Sequence, residues 1–153
     1  MNNMNAMNKK FGGLLLVLFF TSMFYGCSLQ LLAERDEVSL QQMEELAQEV
    51  DHLFTQLLYM PPDRRDYKSN APKYLSVEVK LNALKMRQES RIMNELTIEQ
   101  LGIAIGLWAQ DRKRHERQNS FSDFMLKRYR SQYKRLFLAM IKGEEAKEKR
   151  LDS

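Results

Sequence analysis

Apolar residues recur at intervals of three and four between residues 39 and 59, which is the spacing of one face of an α-helix. Ser39 and Gln42 form an S-x-x-Q capping box at the start of this segment, and Pro61 and Pro62 follow its end. The pattern therefore predicts a first helix over residues 39–59. Its apolar face consists of Met43, Leu46, Ala47, Val50, Leu53, Phe54 and Leu57.

All three prolines fall in residues 61–74, where Asp, Ser and Asn also cluster, so this stretch is predicted to be a loop. The next segment, LSVEVKL at 75–81, alternates apolar and polar residues as a strand does. It continues without a break into strong helix formers, and a single strand with no partner is unstable. We therefore predict a second helix over residues 76–95.

Thr97 and Gln100 repeat the capping-box pattern and predict the start of a third helix. Residues 101–109 of this helix are apolar almost all round, and Gly102 and Gly106 stand four residues apart within them. A helix that is apolar all round is expected to be buried. The two glycines are therefore expected in the core, where a neighbouring helix approaches them closely.

Ser120 and Asp123 predict the cap of a fourth helix, which is amphipathic. Its apolar face consists of Leu126, Tyr129, Tyr133, Leu136, Phe137, Met140 and Ile141. Beyond Gly143 the sequence is strongly charged, and residues 144–153 are predicted to form a frayed tail. Composition agrees, because helix formers abound and glycine and proline are scarce. The expected fold class is all-α, a small bundle of about four helices over residues 39–143.

The first 27 residues have the charge pattern of an export signal. Lys9 and Lys10 precede the apolar block Leu14–Phe20, and the segment contains no acidic residue. Its apolar stretch is about 15 residues long, whereas a helix that crosses a membrane needs ~20. A removed signal is therefore predicted rather than a permanent anchor. The only cysteine of the chain, Cys27, ends the segment, so the chain forms no intramolecular disulfide.

Residues 24–27, Phe-Tyr-Gly-Cys, resemble the lipobox of bacterial lipoproteins, although Tyr25 is bulkier than the small residue which that family prefers. The resemblance implies a signal peptide over residues 1–26 and lipidation of Cys27. Residues 27–38 then form the lipidated N-terminus and a tether. Several acyl chains on one residue are enough to hold a soluble domain stably at a membrane.

The residue after the cysteine, Ser28, bears on the location of the protein. In the sorting rule of enteric lipoproteins, Ser at this position implies transfer to the outer membrane, so the resemblance implies a lipid anchor on the periplasmic face of that membrane. The alternative is that Cys27 is a buried small residue in an uncleaved signal anchor.

Charge is unevenly distributed along the chain. Acidic residues concentrate in residues 34–51 and basic residues in residues 112–142. Either the two blocks face each other within the bundle, or the basic face of the fourth helix binds a partner. An exported chain rarely meets nucleic acid, so the expected partners are an envelope protein, an anionic lipid or a cell-wall polymer, and no nucleic acid. The candidate partner-binding residues are Lys127, Arg128, Arg130, Lys134 and Arg135.

No arrangement of residues typical of catalysis is evident in the sequence. His52 and His115 stand outside any metal-binding spacing, and both are expected at the surface or at its boundary. The chain has no glycine-rich phosphate loop and no G-x-S-x-G motif. We therefore expect no catalytic residue, no metal, no cofactor and no enzymatic activity.

These features predict a membrane-anchored, non-catalytic helical lipoprotein of the bacterial envelope. It is expected to act as an accessory, scaffold or pilot-type binding subunit of secretion, pilus or conjugation machinery. A second interpretation rests on LTIEQ at residues 96–100, which resembles the LTxxQ signature of helical periplasmic stress chaperones. Those proteins usually carry two copies, and LSVEV at 75–79 lacks the glutamine. This resemblance implies a periplasmic stress chaperone or sensor.

Overall fold

Four α-helices and one short 3₁₀ turn form the fold in the computed structural model, which describes residues 33–147. The elements are α1 (Glu37–Tyr59), the 3₁₀ turn (Pro62–Arg64), α2 (Tyr67–Glu89), α3 (Glu95–Gln118) and α4 (Asp123–Glu145). No strand occurs within the described residues, so the prediction of a small all-α bundle is confirmed. The predicted signal peptide, Cys27 and Ser28 lie outside them.

Short connections make successive helices antiparallel, so the bundle has two ends. The near end holds the start of α1, the end of α2, the start of α3 and the end of α4. There the Arg87 guanidinium binds Asp36, with Nε–Oδ2 and Nη2–Oδ1 distances of 2.6 and 2.9 Å. The far end holds the opposite helix termini, and there the Ser120 hydroxyl donates to the Pro62 carbonyl oxygen at 2.8 Å. α1 packs mainly on α4, and α2 mainly on α3.

Aromatic side chains fill the centre of the bundle, where each helix turns one apolar face inward. The ring centroid of Trp108 on α3 lies 6.1 Å from that of Phe54 on α1 and 5.1 Å from that of Tyr74 on α2. It lies 5.5 Å from that of Tyr133 on α4. One indole therefore joins all four helices through ring contacts. The apolar face predicted for the fourth helix is the face that packs. Its fully buried members are Leu126, Tyr129, Tyr133, Phe137 and Met140.

The capping boxes predicted for the first and third helices are not the helix starts. α1 begins after Asp36, and Ser39 lies inside the helix, where its hydroxyl donates to Asp36 Oδ2 at 2.5 Å. α3 begins after Asn94, and the buried Thr97 hydroxyl accepts from Lys147 Nζ at 3.1 Å. The prediction is wrong because both hydroxyls bond to other side chains rather than to the first amides of a helix.

Only the first part of the predicted 61–74 loop is a loop. α2 begins at Tyr67, because Asp66 accepts a hydrogen bond from the Ser69 amide at 2.9 Å and so caps the helix. Pro72 lies inside α2. The second helix therefore starts before the predicted residue 76, and it ends at Glu89 rather than at residue 95.

The ends of the fourth helix also differ from the prediction. Ser122, not Ser120, is the capping residue, and its hydroxyl accepts from the Met125 amide at 3.4 Å. The helix continues past Gly143, and both Glu144 and Lys147 are buried. Residues 144–147 therefore belong to the bundle rather than to a frayed tail.

Gly102 and Gly106 lie on the exposed face of α3, not in the core. A Cβ atom added to either residue would meet nothing within 4 Å. The core face of α3 consists of Leu101, Ala104 and Trp108 instead. The expectation of a close helix approach at the glycines is wrong, because the apolar stretch extends round the helix beyond the face that packs.

Candidate partner-binding surface

The basic residues predicted to bind a partner lie on α4, outside the face that carries its buried aromatic rings. The helical repeat divides them into two edges, because residues three, four and seven apart share a side. Lys127, Arg130 and Lys134 follow the edge next to α1, and Arg128 and Arg135 follow the other edge. Arg130 is partly buried, and the other four are exposed.

Arg130 is engaged with the first helix. Its guanidinium binds Asp51 of α1, with Nε–Oδ1 and Nη2–Oδ2 distances of 2.6 and 3.1 Å. The hydrogen bonds from Arg130 hold the pKa of Asp51 below its ordinary value. This bidentate pair fixes α4 against α1 at one edge of the basic surface.

Other members of the acidic block bind α2 rather than α4. Asp36 pairs with Arg87, and Glu49 pairs with Lys80. The hydrogen bond from Arg87 holds the pKa of Asp36 well below its usual range. The acidic first helix therefore does not cover the basic surface of α4, which meets it through Arg130.

An open groove of about 1060 Å³ runs along the outer side of α1 to the nearby edge of α4. On the α4 side, Phe137, Leu138 and Ile141 supply apolar lining beside Lys134 and Arg130. The α1 side carries the acidic residues Glu45, Glu49 and Asp51. Leu138 is an exposed apolar residue although it lies on a charged helix surface. A groove that is open to solvent suits an elongated protein segment better than a small molecule, which a binding site usually encloses.

A buried ionic cluster fixes the near end of the bundle. Glu144 is only 1% exposed, and its carboxylate accepts from Lys147 Nζ at 2.5 Å and from Arg91 Nη1 at 3.2 Å. Lys147 Nζ also donates to Asn94 Oδ1 at 2.7 Å. Buried charges are tolerated when they are paired and hydrogen-bonded, as they are in this cluster.

The same cluster holds the first described residues of the chain. The Asp36 amide donates to Glu144 Oε1 at 2.8 Å, and Arg91 donates to the Glu34 carbonyl oxygen. The Ala33 amide donates to the Met93 carbonyl oxygen at 2.8 Å. Residues 33–36 are therefore bonded to the bundle, although the sequence places them in the tether.

His115 is fully buried at the far end, so the expectation that it lies at the surface or its boundary is wrong. Its Nε2 proton donates to the Arg65 carbonyl oxygen at 2.7 Å, and its Nδ1 accepts from the Tyr74 hydroxyl at 3.0 Å. These partners assign the neutral tautomer. Burial lowers the pKa of His115. His52, in contrast, is exposed on α1, as expected.

Asp111 is a further buried titratable group that the sequence pattern did not reveal. It accepts a hydrogen bond from the Tyr133 hydroxyl at 3.0 Å, and burial raises its pKa. A raised carboxyl pKa is common in active sites. Asp111 and His115 are nevertheless both bonded within the core, and neither lines the groove. The missed signal was periodicity, since both residues continue the spacing of the core face of α3.

The described residues offer two further observations. Across residues 33–147, no three His, Cys, Asp or Glu side chains are grouped so that they would hold a metal ion. The helices of this part of the chain are also too polar to cross a membrane.

The fold and the surface of α4 together define the class of protein, which is a small helical bundle with an exposed basic edge and an adjoining groove. Comparison with protein-family models, with curated proteins and with solved structures finds no match to this chain.

Proposed function

We propose that this protein is a membrane-anchored, non-catalytic lipoprotein of the bacterial envelope that binds another envelope protein through α4. It would serve as an accessory, scaffold or pilot-type subunit of a secretion, pilus or conjugation assembly. The observation that carries the proposal is the exposed basic edge of α4 beside an open groove with apolar lining. Basic and apolar groups lie side by side on α4, and acidic groups line the α1 side, so the groove suits an amphipathic protein segment with its acidic side chains toward α4.

The residues that line the groove would have separate roles in binding the partner. Leu138 and Ile141 would pack against the apolar side of the partner segment, and Lys134 would meet its acidic side. Arg130 is already bound to Asp51, so it positions the groove edge rather than serving as the main contact. Charged residues at the rim of an interface act mostly on association rate and partner choice.

The N-terminal sequence supports the proposed location at the outer membrane. The lipobox-like residues 24–27 support lipidation of Cys27, and Ser28 supports sorting to the outer membrane, on its periplasmic face. In bacteria that carry the full chain, labelled palmitate is expected to enter the wild type and not the Cys27→Ala variant. Equal labelling of the two would contradict the anchor.

Site-specific crosslinking in intact cells tests the partner. A photo-crosslinking amino acid at position 134 is expected to yield one defined protein adduct. The matched control is position 113, because Lys113 is also an exposed lysine but lies on α3. Leu138→Glu should reduce the adduct from position 134 at least about fivefold, since it places a negative charge in the apolar part of the groove. Adducts with lipid alone, or the same adducts from both positions, would contradict the proposal.

The alternative is a periplasmic stress chaperone or sensor of the LTxxQ type. Besides LTIEQ, it is favoured by the exposed apolar side chains of Leu75, Val79 and Met86, which lie on one side of α2 and would bind unfolded clients. The purified protein would then suppress aggregation of a denatured client protein. A Leu75→Ser/Val79→Ser variant would lose that activity, whereas Leu138→Glu would keep it.

A further inference from the structure

The turn between α2 and α3 exposes apolar side chains at the near end of the bundle. Ile92 is 81% exposed and Leu96 is 66% exposed, and Met93 between them is also exposed. Met93 has a φ of 56°, a left-handed conformation that residues with a Cβ rarely adopt. Two large apolar side chains are therefore exposed in the turn, where polar residues are usual, and a third is exposed at the start of α3.

This turn lies directly beside the first described residue of the chain. The Ala33 amide donates to the Met93 carbonyl oxygen at 2.8 Å. Arg91, next to Ile92, donates to the Glu34 carbonyl oxygen and binds the buried Glu144. The turn and the start of the domain are therefore held together at one place.

The length of chain before Ala33 limits how far the turn lies from a lipid on Cys27. Ala33 is six positions after Cys27 in the sequence, with five residues between them. At most ~3.6 Å per position, the six positions span no more than about 22 Å. The far end of the bundle lies roughly 35 Å further away, because each helix of about 23 residues rises 1.5 Å per residue.

We infer that the α2–α3 turn is a second membrane contact, in which Ile92, Met93 and Leu96 enter the interfacial layer of the bilayer that holds the lipid on Cys27. The inference rests on the lipid anchor of the proposed function. Exposed Glu89 precedes the turn and exposed Glu95 lies between Met93 and Leu96, so apolar burial rather than attraction to anionic lipid drives the contact. The bundle then stands on its near end, with the far end directed away from the membrane.

Depth-dependent quenching of the full-length lipoprotein in phosphatidylcholine vesicles tests the inference. A polarity-sensitive fluorophore is attached to a single introduced thiol, as Ile92→Cys or Leu96→Cys, since an acylated Cys27 does not react. Phe124→Cys is the matched control, because Phe124 is 74% exposed but lies at the far end. Lipids with a shallow nitroxide label should quench the fluorophore at 92 and 96 at least about threefold more than at 124. High salt should leave this difference unchanged.

The possible results distinguish failure of the membrane contact at the α2–α3 turn from failure of the lipid anchor on Cys27. Palmitate incorporation together with equal quenching at 92 and 124 would overturn the membrane contact and leave the anchor standing. Loss of the difference in high salt would overturn apolar insertion in the same way. A wild-type Cys27 that takes no palmitate and reacts with the thiol reagent would overturn the anchor, and the inference with it. All three substituted positions are exposed, and equal thermal midpoints confirm that the variants are folded.

Discussion

Glu144 is a charged residue in surroundings where charged side chains are rarely found. It is buried beside Lys147 and binds the half-buried Arg91, and it also accepts a hydrogen bond from the Asp36 amide. Fully buried charges occur almost only in pairs. Removal of one partner leaves the other charges uncompensated in the interior, which costs more than the intact pair contributes. Glu144 therefore joins the first and the last described segments of the chain.

Glu144→Ala is expected to lower the free energy of unfolding by about 3 kcal/mol, because it leaves Lys147 and Arg91 without their carboxylate. Urea denaturation of the full chain measures the change. The control is Glu145→Ala, since Glu145 is the exposed neighbour, and its effect should stay below about 0.5 kcal/mol. Equal effects of the two substitutions would contradict a stabilising buried cluster.

His115 makes stability depend on pH in a defined direction. Burial lowers its pKa in the folded state, so the unfolded chain binds the proton more readily. The stability from this group is fully present above the ordinary pKa of about 6.5. It is lost as the pH falls from there through the lowered folded pKa.

We expect the thermal midpoint of the wild type to fall more steeply between about pH 7.5 and pH 5 than that of His115→Gln. His52→Gln should keep the wild-type slope, because His52 is exposed. Asp111, whose raised pKa acts in the opposite direction, is present in all three proteins and does not affect their comparison. A His115→Gln slope equal to that of the wild type would contradict the neutral buried imidazole.

At the scale of the element, apolar spacing predicts the four helices, and capping patterns misplace their starts. Ser39 and Thr97 fit local capping boxes, yet their hydroxyls bond to Asp36 and Lys147. Lys147 lies 50 residues from Thr97, so no local pattern indicates that contact. Asp66 shows the opposite case, because its partner is the Ser69 amide and the start of α2 depends on a short-range signal alone.

The candidate surface was predictable to the same extent. The amphipathic pattern of the fourth helix places Lys127, Lys134 and Arg135 outside the core, and the structure exposes them. The pattern does not indicate that Arg130 binds Asp51, since the two residues are 79 positions apart. Helical periodicity predicts which side of a helix is buried. Which residues of another helix lie next to that side, or next to its edges, depends on how the helices assemble.

Gly102→Ala and Gly106→Ala are each expected to raise the free energy of unfolding by about 1 kcal/mol, because glycine is a poor residue inside a helix. Both positions are exposed, and a new Cβ meets nothing within 4 Å. Urea denaturation measures the gain, and the double variant should give roughly the sum. Destabilisation by either alanine would indicate the close helix approach that the sequence alone suggested.

At the scale of the whole molecule, the helices differ in how closely they pack on their neighbours. The backbone of α1 lies close to α4 and α2, whereas the backbone of α3 lies close to α2 and reaches α4 mainly through side chains, such as Trp108 and Asp111 on Tyr133. Buried contacts determine how readily a segment opens while the rest of the protein stays folded. We therefore expect α3 to open most easily and α1 to belong to the last part to unfold.

Hydrogen exchange measures how readily each helix opens. Amides in the middle of α1, around Val50 and Phe54, are expected to exchange more slowly than those of α3 around Ala104. Mass spectrometry of the full chain resolves the two helices as separate peptides. Faster exchange in α1 than in α3 would contradict the packing described for the bundle.

The pairing of α1 with α4 would have a consequence for the export that we propose. A chain that is threaded across a membrane from its N-terminus delivers α1 first and α4 last. α2 and α3 are neighbours in the sequence, so they can pair while the remainder is still in transit. α1 keeps an unsatisfied apolar face until its main partner emerges. In the export that we propose, the polypeptide would therefore stay unfolded enough for a narrow translocation channel until α4 had passed through, and it would fold afterwards.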